Sequence, residues 1–409
     1  MKRALVIFFA GFLSCVSVHA QQIILKGQVR ESGSGKGIPF AHVGICKKAI
    51  GTVTNENGEF VLKLDAFLGK DTLCISSIGY ETSLLAISGI RKNVFTNFDL
   101  KPHSTVLTEI VVSGEKITAK RIIEKAVNHI RDNYPVQPFI LDGYYRDYLK
   151  KDNEYISLLE AAVSEQDPGF KKPGSKAKVK IEQIRISPDY EKNFAKYCSK
   201  DPGDTVKQIM AGFSPFVRGN EFTRMKGNDP IRNYNDDIPM IGEFNRFYDK
   251  NLKFDISYKT EMEGRDIYVI KFGPSDPDRY QYVQAFGEIY VRADDYAILK
   301  FSFNYFISLL DGKKKIYQLN IEYRDFAGRM FLNYISYVNY FKIYTGDEIA
   351  DLQQYREFFV NDIRYPDFKS IHDNECIDPS TPLSEYKFKS KPGFWDQYNI
   401  VLQEKPLIN

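Results

Sequence analysis

One stretch of this sequence, His372-Asp373-Asn374-Glu375, has the spacing of a metal-binding motif. A His and a Glu three residues apart supply two zinc ligands in some peptidases, which take their third ligand from a histidine well downstream. Here His372 is the last histidine of the chain. A third ligand would have to come from far upstream, from His42, His103 or His129. The surrounding Asp, Asn and Pro residues indicate a turn-rich surface segment, so we predict no metal ligand here.

Other catalytic constellations are equally incomplete. No GxSxG elbow is present, and His103 follows Pro102 in a linker without a nucleophile signature. The neighbouring acids Asp236-Asp237 and Asp294-Asp295 point apart, and Asp276-Pro277-Asp278 lacks the frame of a calcium loop. A carboxylate-dependent glycosidase stays open, because its two acids need not be close in sequence. We predict no catalytic residue, no cofactor-binding residue and no cofactor.

Four cysteines follow the first twenty residues, and none has the CxxC or CxH spacing of a metal knuckle. They are Cys46, Cys74, Cys198 and Cys376. Only Cys46 and Cys74 share a predicted domain of small size. The spacing leaves two alternatives for this pair, a disulfide bridge in an oxidising compartment or two buried free thiols.

The first twenty residues read as a signal peptide. Lys2 and Arg3 precede an apolar run from Ala4 to Leu13, and Val18-His19-Ala20 offers small residues where signal peptidase cleaves. The run is shorter than the roughly 20 apolar residues that span a bilayer. Cys15 raises the alternative of a lipid anchor, but Leu13 stands one position too late for it. We expect export to the periplasm or the outer membrane, and no transmembrane span in the rest of the chain.

Composition excludes one class of partner and favours one class of fold. The net charge of +3 falls close to neutral once Lys2 and Arg3 are removed, so nothing attracts nucleic acid. Tyr and Phe number 27 and 30, against one Trp, Trp395. Aromatic side chains fit the half-buried surface of a sheet, so the chain is predicted to be mainly β.

Residues 21–112 are predicted to form a small sandwich. Short apolar runs alternate with turns, and Asn55-Glu56-Asn57-Gly58 is a strong tight-turn signal because Asn and Gly accept positive φ. Four blocks, in this order and spacing, resemble the carboxypeptidase-regulatory-like domain: Gly27-Gln28-Val29, Gly37-Ile38-Pro39-Phe40-Ala41, Gly51 to Phe60, and Ser76-Ser77-Ile78-Gly79-Tyr80. Leu107 to Val112 is similar to the strand that closes such a domain.

This resemblance carries expectations about fold and function. It implies a transthyretin-like β-sandwich without catalytic residues, which serves as a binding or packing accessory. In Bacteroidetes the domain stands at the front of outer-membrane transporters and related envelope proteins. The stretch Gly393 to Ile400 resembles the terminal segment of full-length Bacteroidetes proteins with the same front domain, which implies such a protein rather than a fragment of a transporter.

A connecting segment, residues 113–136, contains the clearest helical pattern, from Ile117 to Asn133. Its apolar residues fall within one arc of about 140° at 100° per residue, as a core-facing stripe requires. Pro135 ends it and holds Tyr134 in extended geometry. We expect this helix to pack on the second domain.

Residues 137–409 are predicted to form a β-rich domain. Seven candidate strands between Leu252 and Asn361 follow one another with turns between them, and Leu319, Ile321 and Tyr323 alternate with polar residues. A long antiparallel meander curls because sheets twist, so we expect a curled sheet or half-barrel. Its hairpin around Asp294 resembles that of lipoprotein-sorting carriers. Within the irregular stretch Ser187 to Asp249, Thr205 to Phe213 is predicted to be helical.

These features predict a non-catalytic cell-envelope binding or assembly protein. The sandwich would dock on an outer-membrane or periplasmic protein, and the meander would hold an apolar or glycan ligand in an aromatic cleft. The alternative is a hydrolase of cell-wall or dietary polymers, dependent on zinc through His372 and Glu375 or on scattered carboxylates. The sequence does not identify the ligand, the partner, the membrane leaflet or the oligomeric state.

Overall fold

A computed structural model of the chain describes most of the sequence, with gaps. The predicted signal peptide, Cys198, Asp236-Asp237 and Asp278 lie outside the described residues. Within the described part, no helix is both long and apolar enough to cross a membrane. The described ranges are 22–103, 111–112, 115–152, 154–171, 176–197, 208–211, 220–233, 252–276, 283–309, 312–345 and 348–402.

The N-terminal module consists of two small sheets with a common core. One sheet has the order β4-β1-β7 and the other β3-β2-β5-β6. Residues of β1 are buried alternately, which places Leu25 and Val29 between the sheets. The tight turn ends at Gly58, whose φ is 78°. The strands are β1 (Gln22–Glu31), β2 (His42–Ile45), β3 (Gly51–Val53), β4 (Glu59–Asp65), β5 (Thr72–Ser76), β6 (Ser83–Ala86) and β7 (Phe95–Leu100).

Two short strands and two helices connect the module to the second sheet. They are β8 (Val111–Val112), β9 (Glu115–Lys116), α1 (Ala119–Asn128) and α2 (Ile130–Asn133). The helix begins at Thr118, whose side chain accepts a hydrogen bond from the Arg121 amide. The predicted helix therefore exists but is interrupted at His129. Its predicted stripe is buried against the second sheet, which confirms the expected packing.

The second sheet has eleven strands and dominates the fold. Its order is β12-β11-β10-β20-β19-β18-β17-β16-β15-β14, every pair is antiparallel, and β13 pairs with the far end of β19. The strands are β10 (Phe139–Lys151), β11 (Glu154–Asp167), β12 (Lys178–Ile186), β13 (Gln208–Ala211), β14 (Leu252–Met262), β15 (Arg265–Pro274), β16 (Val283–Arg292), β17 (Ile298–Leu309), β18 (Gly312–Phe326), β19 (Arg329–Thr345) and β20 (Glu348–Arg364).

The prediction of a mainly β chain with a long meander is confirmed, but the helix predicted over Thr205 to Phe213 is wrong. Gln208–Ala211 forms β13, where Ile209 lies opposite Ile343 of β19. The apolar spacing of this segment suits a helix, but its backbone pairs with a strand that is distant in sequence and overrides the local pattern. Within the described ranges the structure also has three helices that the sequence did not predict: α3 (Tyr190–Tyr197), α4 (Glu221–Gly227) and α5 (Phe394–Gln397).

The two faces of the large sheet pack against different elements. Tyr144 and Tyr145 are adjacent on β10 and therefore point to opposite faces. The face of Tyr145, here the helix face, packs against α1 and α4. The face of Tyr144, here the module face, packs against Val53 of the module and against Trp395.

The C-terminal segment fastens the module to the sheet. Asn399 accepts a hydrogen bond from the Lys63 amide (2.7 Å) and donates one to the Lys63 carbonyl (3.2 Å). The Lys63 ammonium donates to the carbonyls of Trp395 and Tyr398, at 2.9 and 3.0 Å. Lys63 lies on β4, so the segment occupies this edge of the module's first sheet. The module is therefore part of one packed structure rather than a separate attachment.

Candidate functional site

The His372–Glu375 motif caps a short helical turn. Glu375 accepts a hydrogen bond from the His372 amide at 3.3 Å and forms an ion pair with Lys180 at 2.9 Å. The hydrogen bond from Lys180 lowers the pKa of Glu375. Across the described ranges, no three His, Cys, Asp or Glu side chains come together in a group that could hold a metal ion. Glu375 therefore serves a structural role here.

The other acids and thiols singled out in the sequence are also engaged by neighbours. Asp295 accepts hydrogen bonds from Arg292 and Arg265. Burial raises the pKa of Asp295, but the hydrogen bonds from Arg292 and the Ala297 amide, together with the charges of Arg292 and Arg265, outweigh burial and lower the pKa to about 2. Cys46 and Cys74 are free thiols in contact, and burial, followed by the effect of Cys46, raises the pKa of Cys74 to about 12. The Cys74 thiol is therefore a poor nucleophile near neutral pH, since the thiolate is the reactive form.

A cleft of about 600 Å³ opens on the helix face, beside β11 and β12. Such a volume falls within the range of about 300–1,000 Å³ that is typical of small-molecule sites. The segment 373–383 closes it, because the Ile377 amide donates to Val179 and the Asn220 amide donates to Pro379, both at 2.8 Å. The lining residues are Glu165, Asp167, Lys176, Ala177, Lys178, Val179, Phe222, Thr223, Lys226, Gly227, Arg232, Asn233, Asp373, Cys376, Ile377, Pro379 and Ser380.

One wall of the cleft is α4. Asn220 caps this helix, because its side chain accepts a hydrogen bond from the Thr223 amide at 3.1 Å. Phe222 and Met225 are fully buried and anchor the helix in the core. Gly227 ends the helix at the cleft, and a Cβ added there would meet no heavy atom within 4 Å. The wall is thus rigidly placed, with open space in front of Gly227.

The charges at the base of the cleft neutralise one another. Arg232 makes two hydrogen bonds to Asp167, from Nε at 2.7 Å and from Nη2 at 2.9 Å. Lys226 forms an ion pair with Glu165 at 3.3 Å. Burial raises the pKa of Glu165, and Lys226 opposes this rise. Since each carboxylate faces a cation, the pairs shape the cleft and hold its walls together.

Apart from the ion pair between Lys178 and Asp373 and the exposed Lys176, the remaining lining combines apolar and uncharged polar groups. Phe222, Val179 and Ile377 offer an apolar surface, and Thr223 and Asn233 add polar atoms. Such a lining suits a neutral molecule with an apolar part and several hydroxyl or amide groups. The cleft is less aromatic than the sequence led us to expect, because most rings of the sheet pack in the core and Phe222 is the aromatic residue of the lining.

A buried polar cluster lies behind this wall. The Arg356 guanidinium donates hydrogen bonds to Asp147 and to the Tyr337 hydroxyl, and Glu221 accepts one from the Leu383 amide at 2.8 Å. The Tyr145 hydroxyl, Glu221 Oε1 and Arg356 Nη2 have no hydrogen-bond partner among the described residues. Burial raises the pKa of Glu221. The Tyr145 ring contacts Phe222, with centroids 5.6 Å apart, so the cluster adjoins the cleft.

Sequence reasoning missed the residues of the cleft and the cluster. Asn220 before an apolar pair, Phe222 and Met225, was a usable signal for a capped helix. The ion pairs had no such signal, since Asp167 and Arg232 are 65 residues apart and meet only through the fold.

Comparison with known proteins identifies the module and leaves the larger part of the chain unassigned. Residues 25–112 match the family described as the CarboxypepD_reg-like domain. The chain is also similar to the TonB-dependent receptor SusC of Bacteroides thetaiotaomicron, with 32% identity over 114 residues, or 28% of this chain. The chain spans 10% of the length of that relative. The expected resemblance of the N-terminal residues is thereby confirmed.

Two solved structures show low similarity to the chain. A LolA superfamily protein from Nitrosomonas europaea has 14% identity and a TM-score of 0.24, and the match covers 62% of this chain and 96% of that one. Lipovitellin has 6% identity and a TM-score of 0.22, over 59% of this chain and 26% of that one. At these TM-scores neither structure supports a conclusion about fold or function.

Proposed function

We propose that the protein is a non-catalytic binding protein of the cell envelope, which holds a neutral amphipathic ligand in the helix-face cleft. The ligand carries an apolar part, a glycan part, or both. The observation that carries this proposal is a ligand-sized cleft whose buried charges are paired with each other. Because those acids are engaged, the cleft offers surface and hydrogen bonds to a ligand rather than a reactive group.

The envelope location rests on the N-terminal module. Residues 25–112 match the CarboxypepD_reg-like domain, and a similar stretch occurs in a TonB-dependent receptor. Together with the expected signal peptide, this supports an exported protein in the periplasm or at the outer membrane. In this proposal the N-terminal module, which ends at residue 112, binds an envelope partner. It thereby attaches the C-terminal domain, which starts near residue 137, to that partner.

The absence of catalysis is part of the proposal and has a direct test. Glu375 is engaged by Lys180 and by the His372 amide, which supports the prediction that purified protein holds no stoichiometric zinc. Metal analysis of the wild type and of His372→Ala checks it. Stoichiometric zinc that disappears in the variant would favour the hydrolase instead.

Ligand binding is tested with dodecyl maltoside below its micelle concentration, because this probe joins an alkyl chain to a neutral disaccharide. Gly227→Phe places a ring in the open space of the cleft, and we expect it to weaken binding about tenfold or more, the loss that follows from about 1.4 kcal/mol. Gly89→Phe is the matched control, since Gly89 also has no heavy atom within 4 Å of an added Cβ but lies in the module.

Isothermal titration of the wild type and both variants measures the effect. Equal affinities of the wild type and Gly227→Phe would place binding elsewhere, and no binding of the probe by the wild type would contradict a cleft for amphipathic ligands. Maltose and lauric acid, titrated separately, then show whether the sugar or the alkyl chain supplies the affinity.

A further inference from the structure

Three large apolar side chains are exposed together at one end of the module. Phe67 is 74% exposed, Phe95 52% and Val94 44%. Core formation does not explain them, because none packs in the module's core cluster. Together they form what we call the apolar tip: Phe67, Val94 and Phe95.

The strand order explains why these residues meet. β4 runs antiparallel to β1 and ends with Asp65 opposite Gln22. β7 runs parallel to β1 and begins with Phe95 opposite Lys26. The end of β4 therefore lies beside the start of β1, and β7 begins on the other side of β1, four residues further along that strand. The two flanking strands lie about 10 Å apart. The Asn93 amide donates a hydrogen bond to the Ile24 carbonyl at 2.9 Å, which fixes the loop before β7 near the start of β1.

The loops of the apolar tip carry an excess of positive charge. Lys70, Arg91 and Lys92 are exposed, and the exposed carboxylate in this region is that of Asp65. Among the described residues these three cations form no ion pair, whereas the neighbouring Asp71 is engaged by Lys48 at 2.9 Å. Apolar side chains ringed by unpaired cations complement a surface of anionic headgroups over hydrocarbon.

The opposite end of the module is held by the large sheet. The Gly79 amide donates to the Glu261 carbonyl at 3.2 Å, and His103 lies 3.7 Å from the Glu261 carboxylate. Tyr80 donates to Glu31 at the end of β1, far from Gln22. The C-terminal segment also reaches the start of β1, where the Gln22 side chain donates to the Gln397 carbonyl at 3.3 Å. The side chains of the apolar tip nevertheless stay exposed, so they are accessible to a large surface.

We infer that the apolar tip docks on a lipid bilayer with anionic headgroups. Phe67 and Phe95 enter the boundary between headgroups and acyl chains, and Lys70, Arg91 and Lys92 bind the phosphates. The chain enters β1 at this same end, at Gln22. Docking of this kind holds the cleft beside the membrane without involving any cleft residue.

Vesicle flotation tests the inference with the full chain, after its N-terminus has been determined by mass. We expect the wild type to float with vesicles of phosphatidylethanolamine and phosphatidylglycerol, and less with pure phosphatidylcholine. The double variant Phe67→Ser with Phe95→Ser should bind the anionic vesicles about tenfold or more weakly, because two exposed rings no longer enter hydrocarbon. Arg91→Glu with Lys92→Glu should remove the preference for anionic vesicles and its salt dependence.

Ile349→Ser is the matched control. Ile349 is 57% exposed, so the substitution removes a comparable apolar side chain, but it lies at the end of the β19–β20 hairpin. Vesicle binding by this variant should equal that of the wild type, and the thermal midpoint of every variant should be unchanged because each site is exposed. Titration with dodecyl maltoside should also be unchanged in the tip variants, which separates a failure of docking from a failure of the cleft.

Three results would overturn the inference. The first is a wild type that does not bind anionic vesicles, or a Phe67→Ser, Phe95→Ser double variant that binds them as strongly as the wild type does. The second is retention on native envelope membranes, but not on protein-free vesicles, that depends on Phe67 and Phe95, since this identifies a protein partner. The third is a dimer in light scattering that the double variant dissolves without any change in vesicle binding, since this identifies a second copy.

Discussion

Two consecutive residue pairs on β10 and β20 show how differently the faces of the large sheet are built. Arg146 lies opposite Glu357 on the module face, and Asp147 lies opposite Arg356 on the helix face, so the same pair of charges occurs in reverse order. Beside Arg146, the carboxylate of Glu160 accepts hydrogen bonds from Tyr144 and from two nitrogens of Arg185.

The helix-face pair has a different environment. Next to Arg356, the Tyr145 hydroxyl and Glu221 Oε1 have no partner among the described residues, and neither has Arg356 Nη2. A buried polar group without a partner costs about 1–3 kcal/mol. At these two pairs the polar atoms of the module face are matched, whereas the helix face keeps three polar atoms unmatched beside a cleft, as expected of a binding face. Elsewhere the module interface also holds unmatched atoms, His42 Nδ1 and Arg324 Nε, but these lie where the module itself covers the sheet.

The largest effect should follow from breaking the pair on the module face. Arg146→Met leaves the Glu357 carboxylate buried without its cation, so the free energy of unfolding should fall by about 3–5 kcal/mol. The double variant Arg146→Met with Glu357→Met should recover most of this loss. Urea unfolding measures both. A loss of probe affinity in folded Arg146→Met would contradict the assignment of this pair to a purely structural face.

A smaller loss should follow from releasing the C-terminal segment. Lys63→Met removes the two hydrogen bonds to the carbonyls of Trp395 and Tyr398, and should lower the free energy of unfolding by about 1.5–3 kcal/mol. Lys26→Met is the matched control, a half-buried lysine on the neighbouring strand β1. Equal stability of both variants in urea would show that the segment does not fasten the module.

The helix face predicts a pH effect, which is the smallest of the three. Burial raises the pKa of Glu221 above its ordinary 4.5, so the folded state loses stability as pH rises from the unfolded pKa through the folded one. Glu221→Gln removes this loss while Leu383 keeps an oxygen acceptor. The urea midpoint of the variant should therefore rise relative to that of the wild type as the pH is raised from 5 to 8.

Asp255→Asn serves as the control for this pH series, because its carboxylate is exposed and pairs with Lys253 at the surface. It should follow the wild type at every pH. A gain for Glu221→Gln that is the same at both pH values would show that the Glu221 carboxyl is not the group that titrates.

The sequence predicts those features of the fold that depend on local pattern. The Asn55–Gly58 turn and the alternation of Leu319, Ile321 and Tyr323 each concern neighbouring residues, and both are found in the structure. The pairing of Gln208–Ala211 with β19 depends on backbone more than a hundred residues away, and local spacing predicted a helix instead.

The candidate site was less accessible to prediction for the same reason. Asp167 and Arg232, like Glu221 and Arg356, are single charged residues in unremarkable local sequence. Whether such a charge is paired at a cleft or exposed to water depends on chain crossings that only the fold determines. The family resemblance did not help here, since it covers residues 25–112 and the cleft lies outside them.

We expect ligands to bind the helix face while the module face stays closed. Hydrogen–deuterium exchange with and without dodecyl maltoside tests this most directly. We predict that the probe slows exchange in α4 and in residues 373–383, and leaves β4 and residues 394–402 unchanged. Slower exchange confined to β4 and residues 394–402 would contradict the claim.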